Sequence, residues 1–209
     1  MNIRDLEKSA NFENIKSPKR FKKAIEKIDS INQKDPNLWK HGKIQYPREW
    51  IFGIYHFNQV IDLDPNASEL LLIAARGQHI ARWMSLRTDY PEGRVGYLKW
   101  RADLKVFHAN KCAEILREIG YPDPEIEIVK KLNLKKNIKS NLECQILEDS
   151  LCLVFLEQQF DDLAKKYPEE KMVPILQKTA KKMSQNGIEK ISSLSFTPRC
   201  QDLLKKAFG

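Results

Sequence analysis

Four histidines serve the whole 209-residue chain, and two of them, His79 and His108, fall in segments whose apolar spacing predicts buried central helices. A buried imidazole needs a partner for each ring nitrogen: a carboxylate, a carbonyl, water or a metal ion. The best carboxylate is Asp149, which interrupts the apolar stripe Leu142, Ile146, Leu153, Leu156 and Phe160 of another predicted helix. Placed there it is costly unless paired with a cation, a histidine or a metal. Glu148 lies about 100° round the same helix and can share the site as a proton acceptor. Two chemistries fit these residues. In one, His79, His108 and Asp149 hold a divalent metal (Mn, Fe, Zn or Mg) that turns a bound water into a nucleophile. In the other, the same groups form a hydrogen-bonded structural network. His56, between Tyr55 and Phe57, is a further imidazole whose flanks suit packing equally well.

Arginine is concentrated near these histidines. Arg76, Arg82, Arg87, Arg94 and Arg101 are five of the ten in the chain, interleaved with Trp83, Tyr90, Tyr97 and Trp100, whereas lysine dominates elsewhere. The planar guanidinium fork suits carboxylate or phosphate and stacks on aromatic rings. Arg76, Arg82, Arg101 and Lys105 are therefore candidate anion-binding residues. The competing reading ties the Met84–Gly93 loop to the body through Asp89, Glu92 and Asp103. No P-loop, dinucleotide GxGxxG, HExxH or GxSxG pattern is present.

The elements that must position these groups are helical. Four tyrosines precede proline, at Tyr46, Tyr90, Tyr121 and Tyr167, and a residue before proline is pushed out of the helical region, so each marks a helix boundary. The spacing predicts helices over 18–33, 48–63, 69–83, 95–119 with Gly120 as its cap, a short one after Pro122, then 141–165, 168–187 and 199–208. Alternating strand patterns are missing. The expectation is an all-α chain with a tail over 1–16 and one domain over 17–209, its core about 48–165 and C-terminal helices over 168–209.

Composition narrows the function classes. Apolar residues make up 42% and charged residues 31%, which suits a globular chain and excludes collagen-like and wholly disordered ones. No apolar run reaches the length of a membrane span and no secretory signal is visible, so a cytoplasmic protein with no membrane contact is expected. The net charge of +8 resides at the two ends, +6 over residues 1–48 and +6 over 165–209, around a middle of −4. That distribution suits solvated lysine-rich helices, with weak RNA binding as the other use. Cys112, Cys144, Cys152 and Cys200 have no metal or disulfide spacing and are expected as buried free thiols. The sequence leaves the oligomeric state open.

The strings AARGQHIARW (74–83), YPEGRVGYLKWR (90–101), FHANKCAEILREIGY (107–121), LEDSLCLVFLEQQF (147–160) and KTAKKMSQNG (178–187) resemble a family of bacterial and fungal proteins classed as a domain of unknown function, over about residues 18–206. Some of its members carry a glutamyl-tRNA synthetase label, yet this sequence shows no nucleotide-binding signature. More distantly, the order of elements resembles the HD superfamily of metal-dependent phosphohydrolases. That resemblance implies an HD-like all-helical core, with His56 in the place of the early His, Gln78-His79 in that of the His-Asp pair, His108 as an additional His and Asp149 as the last Asp. Gln78-His79 departs from the pattern by removing a carboxylate. The leading expectation is a metal-dependent phosphohydrolase acting on a phosphorylated small molecule or nucleotide. Metal would sit on His79, His108 and Asp149, phosphate on Arg76, Arg82, Arg101 and Lys105, with Glu148 and Asp149 catalytic. The alternative is a non-catalytic RNA- or protein-binding adaptor.

Overall fold

The computed structural model describes residues 6–136 and 138–208 and is all-α apart from one short hairpin. The first five residues of the expected tail lie outside that range. The chain divides into two compact units, Met1–Lys136 and Asn137–Gly209, so the boundary falls inside the stretch expected as one core.

In the first unit, α1 (Pro18–Asn32) begins with proline at its first turn, where the missing N–H costs nothing. It buries the stripe Phe21, Ala24, Ile25 and Ile28. A hairpin that the alternation did not announce follows, β1 (Leu38–His41) antiparallel to β2 (Ile44–Pro47), closed at Gly42, whose φ of 59° suits a tight two-residue turn. Helix α2 (Arg48–Leu63) is buried over nearly its whole length. Pro47 gives it no capping side chain, and Asp35 accepts the Glu49 N–H instead, at 3.0 Å.

Helix α3 (Glu69–Arg76) is capped by Ser68 and stops seven residues short of the expected 69–83. Gly77 ends it because the chain there presses on α4 (Gly93–Ile119): a Cβ at 77 would lie 2.4 Å from Cys112 Sγ. Ala81 then turns left-handed, φ 53°, with its N–H donated to the buried Asn32 Oδ1 at 3.1 Å. His79 thus lies in a turn and not on a helix. Helix α4 closes at left-handed Gly120, φ 88°, as its sequence predicts. It packs against α5 (Asp123–Leu134), which ends at left-handed Lys135. Residues of the expected tail lie against this unit: the Asn58 side chain binds Leu6 O and the Lys8 N–H, and Ala10 and Ile15 are buried.

In the second unit the predicted 141–165 helix is two, α6 (Leu142–Gln158) and α7 (Phe160–Lys166), separated by Gln159 at φ −127°. The break turns Phe160 fully inward, edge-on to Phe196. Likewise the predicted 168–187 helix divides into α8 (Glu169–Ala180) and α9 (Gln185–Lys190), the second capped by Ser184, and α10 (Pro198–Phe208) follows. All four cysteines are free and buried. Among the described residues no helix is long and apolar enough to cross a membrane.

Candidate active site

Three of the four imidazoles meet in the first unit. Glu49 and His56, seven residues apart, share one face of α2; the turn after α3 supplies His79, and α4 supplies His108 and, two turns earlier, Arg101. Ring centroids of His56 and His79 are 5.4 Å apart and those of His79 and His108 5.8 Å. Glu49 Oε2 stands 3.7 Å from His79 Nδ1. His108 Nδ1 lies 2.8 Å from Ile80 O, so that nitrogen carries the proton and Nε2 keeps its lone pair. Nε2 is buried with no hydrogen-bond partner, and so is Gln78 Oε1.

Charge around the cluster is mixed. Burial drives the Glu49 carboxyl up to about 7 against the pull of Arg82 and Arg48, with Asp35 adding to the rise. The His79 ring, 27% exposed at its side chain, is held well below the ordinary histidine range, first by burial and then by His56, Arg82, His108 and Lys135. Burial likewise takes His108 down to about 4; the Ile80 carbonyl opposes the shift, and Arg82, Arg101 and Lys135 add to it. At neutral pH these two imidazoles are uncharged, beside a carboxyl poised between its two forms. Arg82 stacks its guanidinium 5.1 Å from the Trp100 ring centre. Arg48 stacks on Trp39 and Phe52, with its Nε buried and unpartnered. Rings thus hold both forks while leaving N–H groups for an anion.

The loop that carries Arg82 is built by the YPEGRVGYLKWR segment. Arg87 binds Tyr90 O at 2.9 Å and Gly93 O at 3.3 Å, and Trp100 Nε1 binds Ser85 O at 3.1 Å. Gly96 is required because a Cβ there would fall 1.8 Å from Pro91 O.

Of the residues singled out in the sequence, His79, His108, Arg82 and Arg101 come together, and His56 joins them. Lys105 is exposed on α4. Arg76 is not available to an anion at this cluster. It is 1% exposed, with Asp29 taking its Nε at 2.7 Å and Nη2 at 2.6 Å, and Glu7 sharing Nη2 at 2.9 Å. Glu148 and Asp149 belong to the second unit. Asp149 there accepts the Ser184 N–H at 2.8 Å, the Ser184 hydroxyl and Gln145 Nε2 at 3.0 Å. Its carboxylate therefore fixes the residue that caps α9. Gly187 makes this contact possible, since a Cβ at 187 would lie 2.7 Å from the Asp149 carboxyl carbon. Glu148 is buried with Lys182 Nζ 3.6 Å from its Oε1. The isolated-carboxylate argument applied to Asp149 thus finds a structural acceptor, whereas Glu49, a buried carboxyl in the first turn of α2 on the same face as His56, is the carboxyl beside His79.

The donor chemistry of neutral imidazoles, one of them oriented by a carbonyl, suits a divalent transition metal. Among the described residues, however, no group of three or more His, Cys, Asp or Glu side chains is placed to hold a metal ion.

Residues 22–204 match the family model described as a domain of unknown function, DUF4202. The chain belongs to this family. Among curated proteins and among solved structures, no match to the chain was found. Three of the strings singled out in the sequence have physical content. AARGQHIARW forms the turn that presents His79, YPEGRVGYLKWR holds the Arg82 loop, and the Ser184 and Gly187 of KTAKKMSQNG hold Asp149.

Proposed function

We propose that the imidazole cluster of the first unit is a phosphohydrolase site for a phosphorylated small molecule or nucleotide, with Glu49 as its proton acceptor. The observation that carries this reading is the meeting of His56, His79 and His108 with Glu49 under the cations Arg48, Arg82 and Arg101. Apolar packing alone gives no reason to gather three imidazoles and a carboxyl. The guanidinium groups of Arg82 and Arg101 bind phosphoryl oxygens and neutralise the charge that develops on them. Glu49 Oε2 takes a proton from the attacking water and exchanges it with His79 Nδ1 beside it. Its poise near neutrality lets it both accept and return that proton. Burial of the cluster strengthens each of these interactions relative to water.

The test is phosphate release from p-nitrophenyl phosphate and nucleoside phosphates, with and without added Mn, Fe, Zn or Mg, alongside elemental analysis of untagged protein. Glu49→Gln lowers turnover at least 100-fold, the scale of a lost general base, and flattens the limb of the pH profile near 7. Arg82→Ala raises KM. Full turnover in Glu49→Gln, or none from wild type under any metal condition, overturns the assignment. Metal that copurifies with wild type and is lost in His79→Ala and His108→Ala places a metal ion in the same cluster.

A further inference from the structure

A cavity lies on another face of α2, away from the imidazole cluster. It has a volume of about 680 Å³, within the range of small-molecule pockets, and is walled by Phe21 and Ile25 of α1 and Trp50, Ile54 and Phe57 of α2. Residues 7–10 line it too, as do the exposed Lys19 and Lys22 and the acidic Glu26 and Asp29. Arg76 lines it at depth, reaching in where Gly53 leaves room: a Cβ at 53 would lie 2.9 Å from Arg76 O and 3.4 Å from Arg76 Cδ.

Two residues of the lining each carry a donor that is buried behind the cavity surface and has no acceptor. Arg76 spends Nε and Nη2 on Asp29 and Glu7, yet its Nη1 is buried without a partner, and so is the indole Nε1 of Trp50. Both groups can only donate, and a buried donor left unpaired is costly. Glu7, Glu26 and Asp29 bring carboxylates to the lining, yet none of them reaches these two donors. Glu7 supplies one carboxylate from a surface segment, with 33% of its side chain exposed, and it reaches only Nη2. A ligand carboxylate in its place keeps the local charge balance with Arg76 and Asp29, and adds oxygens for the unpaired donors. The wall of Phe21, Ile25, Trp50, Ile54 and Phe57 suits a hydrocarbon or aromatic body, with the polar residues of the lining left to the carboxylate end and the rim.

We propose that this cavity is a binding site for an apolar carboxylic acid, whose carboxylate replaces that of Glu7 on Arg76. The segment 7–10 is then the element a ligand displaces, and Glu7 the competitor it must beat.

Calorimetric titration of the full chain with decanoate, with 1-decanol as the uncharged control, tests this. Wild type binds decanoate at least tenfold more tightly than decanol. Glu7→Gln removes the competing carboxylate and tightens decanoate several-fold with little change for decanol. Ile54→Phe pushes a ring from the apolar wall into the cavity and weakens both. Should that variant fail to fold, Trp50→Phe serves instead: it keeps the wall, removes the indole N–H and weakens decanoate but not decanol. Equal affinity for decanoate and decanol, binding of neither, or unchanged decanoate binding in the folded Ile54→Phe or Trp50→Phe variant overturns the proposal. None of these outcomes depends on phosphohydrolase activity.

Discussion

Replacing His108 by glutamine changes the pH dependence of stability by an amount the structure sets. Free histidine titrates at 6.5 and His108 in the folded chain at about 4. Between those values the unfolded chain binds a proton that the folded one refuses. Stability from this group is therefore full above pH 6.5 and is lost as pH falls through 4. A difference of two and a half units corresponds to about 3 kcal/mol, roughly 2–3 of it spent by pH 4.5. Glu49 acts in the opposite sense. Its folded value of about 7 exceeds its ordinary 4.5, so its contribution is full below pH 4.5 and lost as pH rises through 7, again by about 3 kcal/mol. Between pH 4.5 and 6.5 these two slopes oppose each other, and His79, also held below the ordinary histidine range, adds to the His108 side. Each single variant removes one contribution, so that relative to wild type His108→Gln gains stability in acid and Glu49→Gln loses it. All four tryptophans, Trp39, Trp50, Trp83 and Trp100, belong to the first unit, so urea unfolding followed by tryptophan fluorescence at pH 7.5 and 4.5 reads it directly. The comparison is of slopes against pH, because loss of the bond to Ile80 O lowers stability at both. Identical pH dependence in wild type and His108→Gln refutes the view that the fold holds this imidazole neutral.

Three further outcomes follow from packing and backbone geometry. Gly77→Ala drives a methyl into Cys112 Sγ and lowers stability by about 1–3 kcal/mol, with partial recovery on adding Cys112→Ala, both read by thermal melts. Asp149→Ala strips Ser184 of its acceptor and leaves Gln145 with only Lys182 O; it costs about 1–3 kcal/mol by circular dichroism, while leaving phosphate binding of the folded protein unchanged. Ala81→Gly relieves a left-handed alanine, φ 53°, worth about 1 kcal/mol, so that denaturant midpoints stay level or rise where glycine ordinarily lowers them.

The helices were legible because their boundaries are written in local chemistry. Tyrosine before proline, Ser68 before an apolar run and Gly120 after one are signals that no distant contact overrides. Where the reading ran too long, a distant contact decides. Gly77 ends α3 because Cys112, 35 residues away, occupies the space a side chain would need. Gln159 breaks the helix after α6 so that Phe160 can be buried against Phe196. The hairpin at 38–47 is too short for alternation to show. The site was legible in part for the same reasons. His79 and His108 stood out as rare residues in apolar surroundings, and their meeting needs no more than adjacent elements. Arg76 and Asp149 stood out equally, yet their partners, Asp29 with Glu7 and Ser184 with Gln145, are structural. Periodicity tells that a charge is buried, but only the fold tells what it faces.

The distribution of thiols makes the protein its own reporter of motion. All four cysteines are buried and free, and burial pushes the Cys112 thiol up to about 12, so the closed protein offers an alkylating reagent no ready nucleophile. Cys112 is the only thiol of the first unit, and Cys144, Cys152 and Cys200 all fall in the second. A chain caught while one unit is open therefore gains one label or as many as three, depending on which unit gave way. Mass spectra taken over a labelling time course then separate the opening rates of the two units without any mutation.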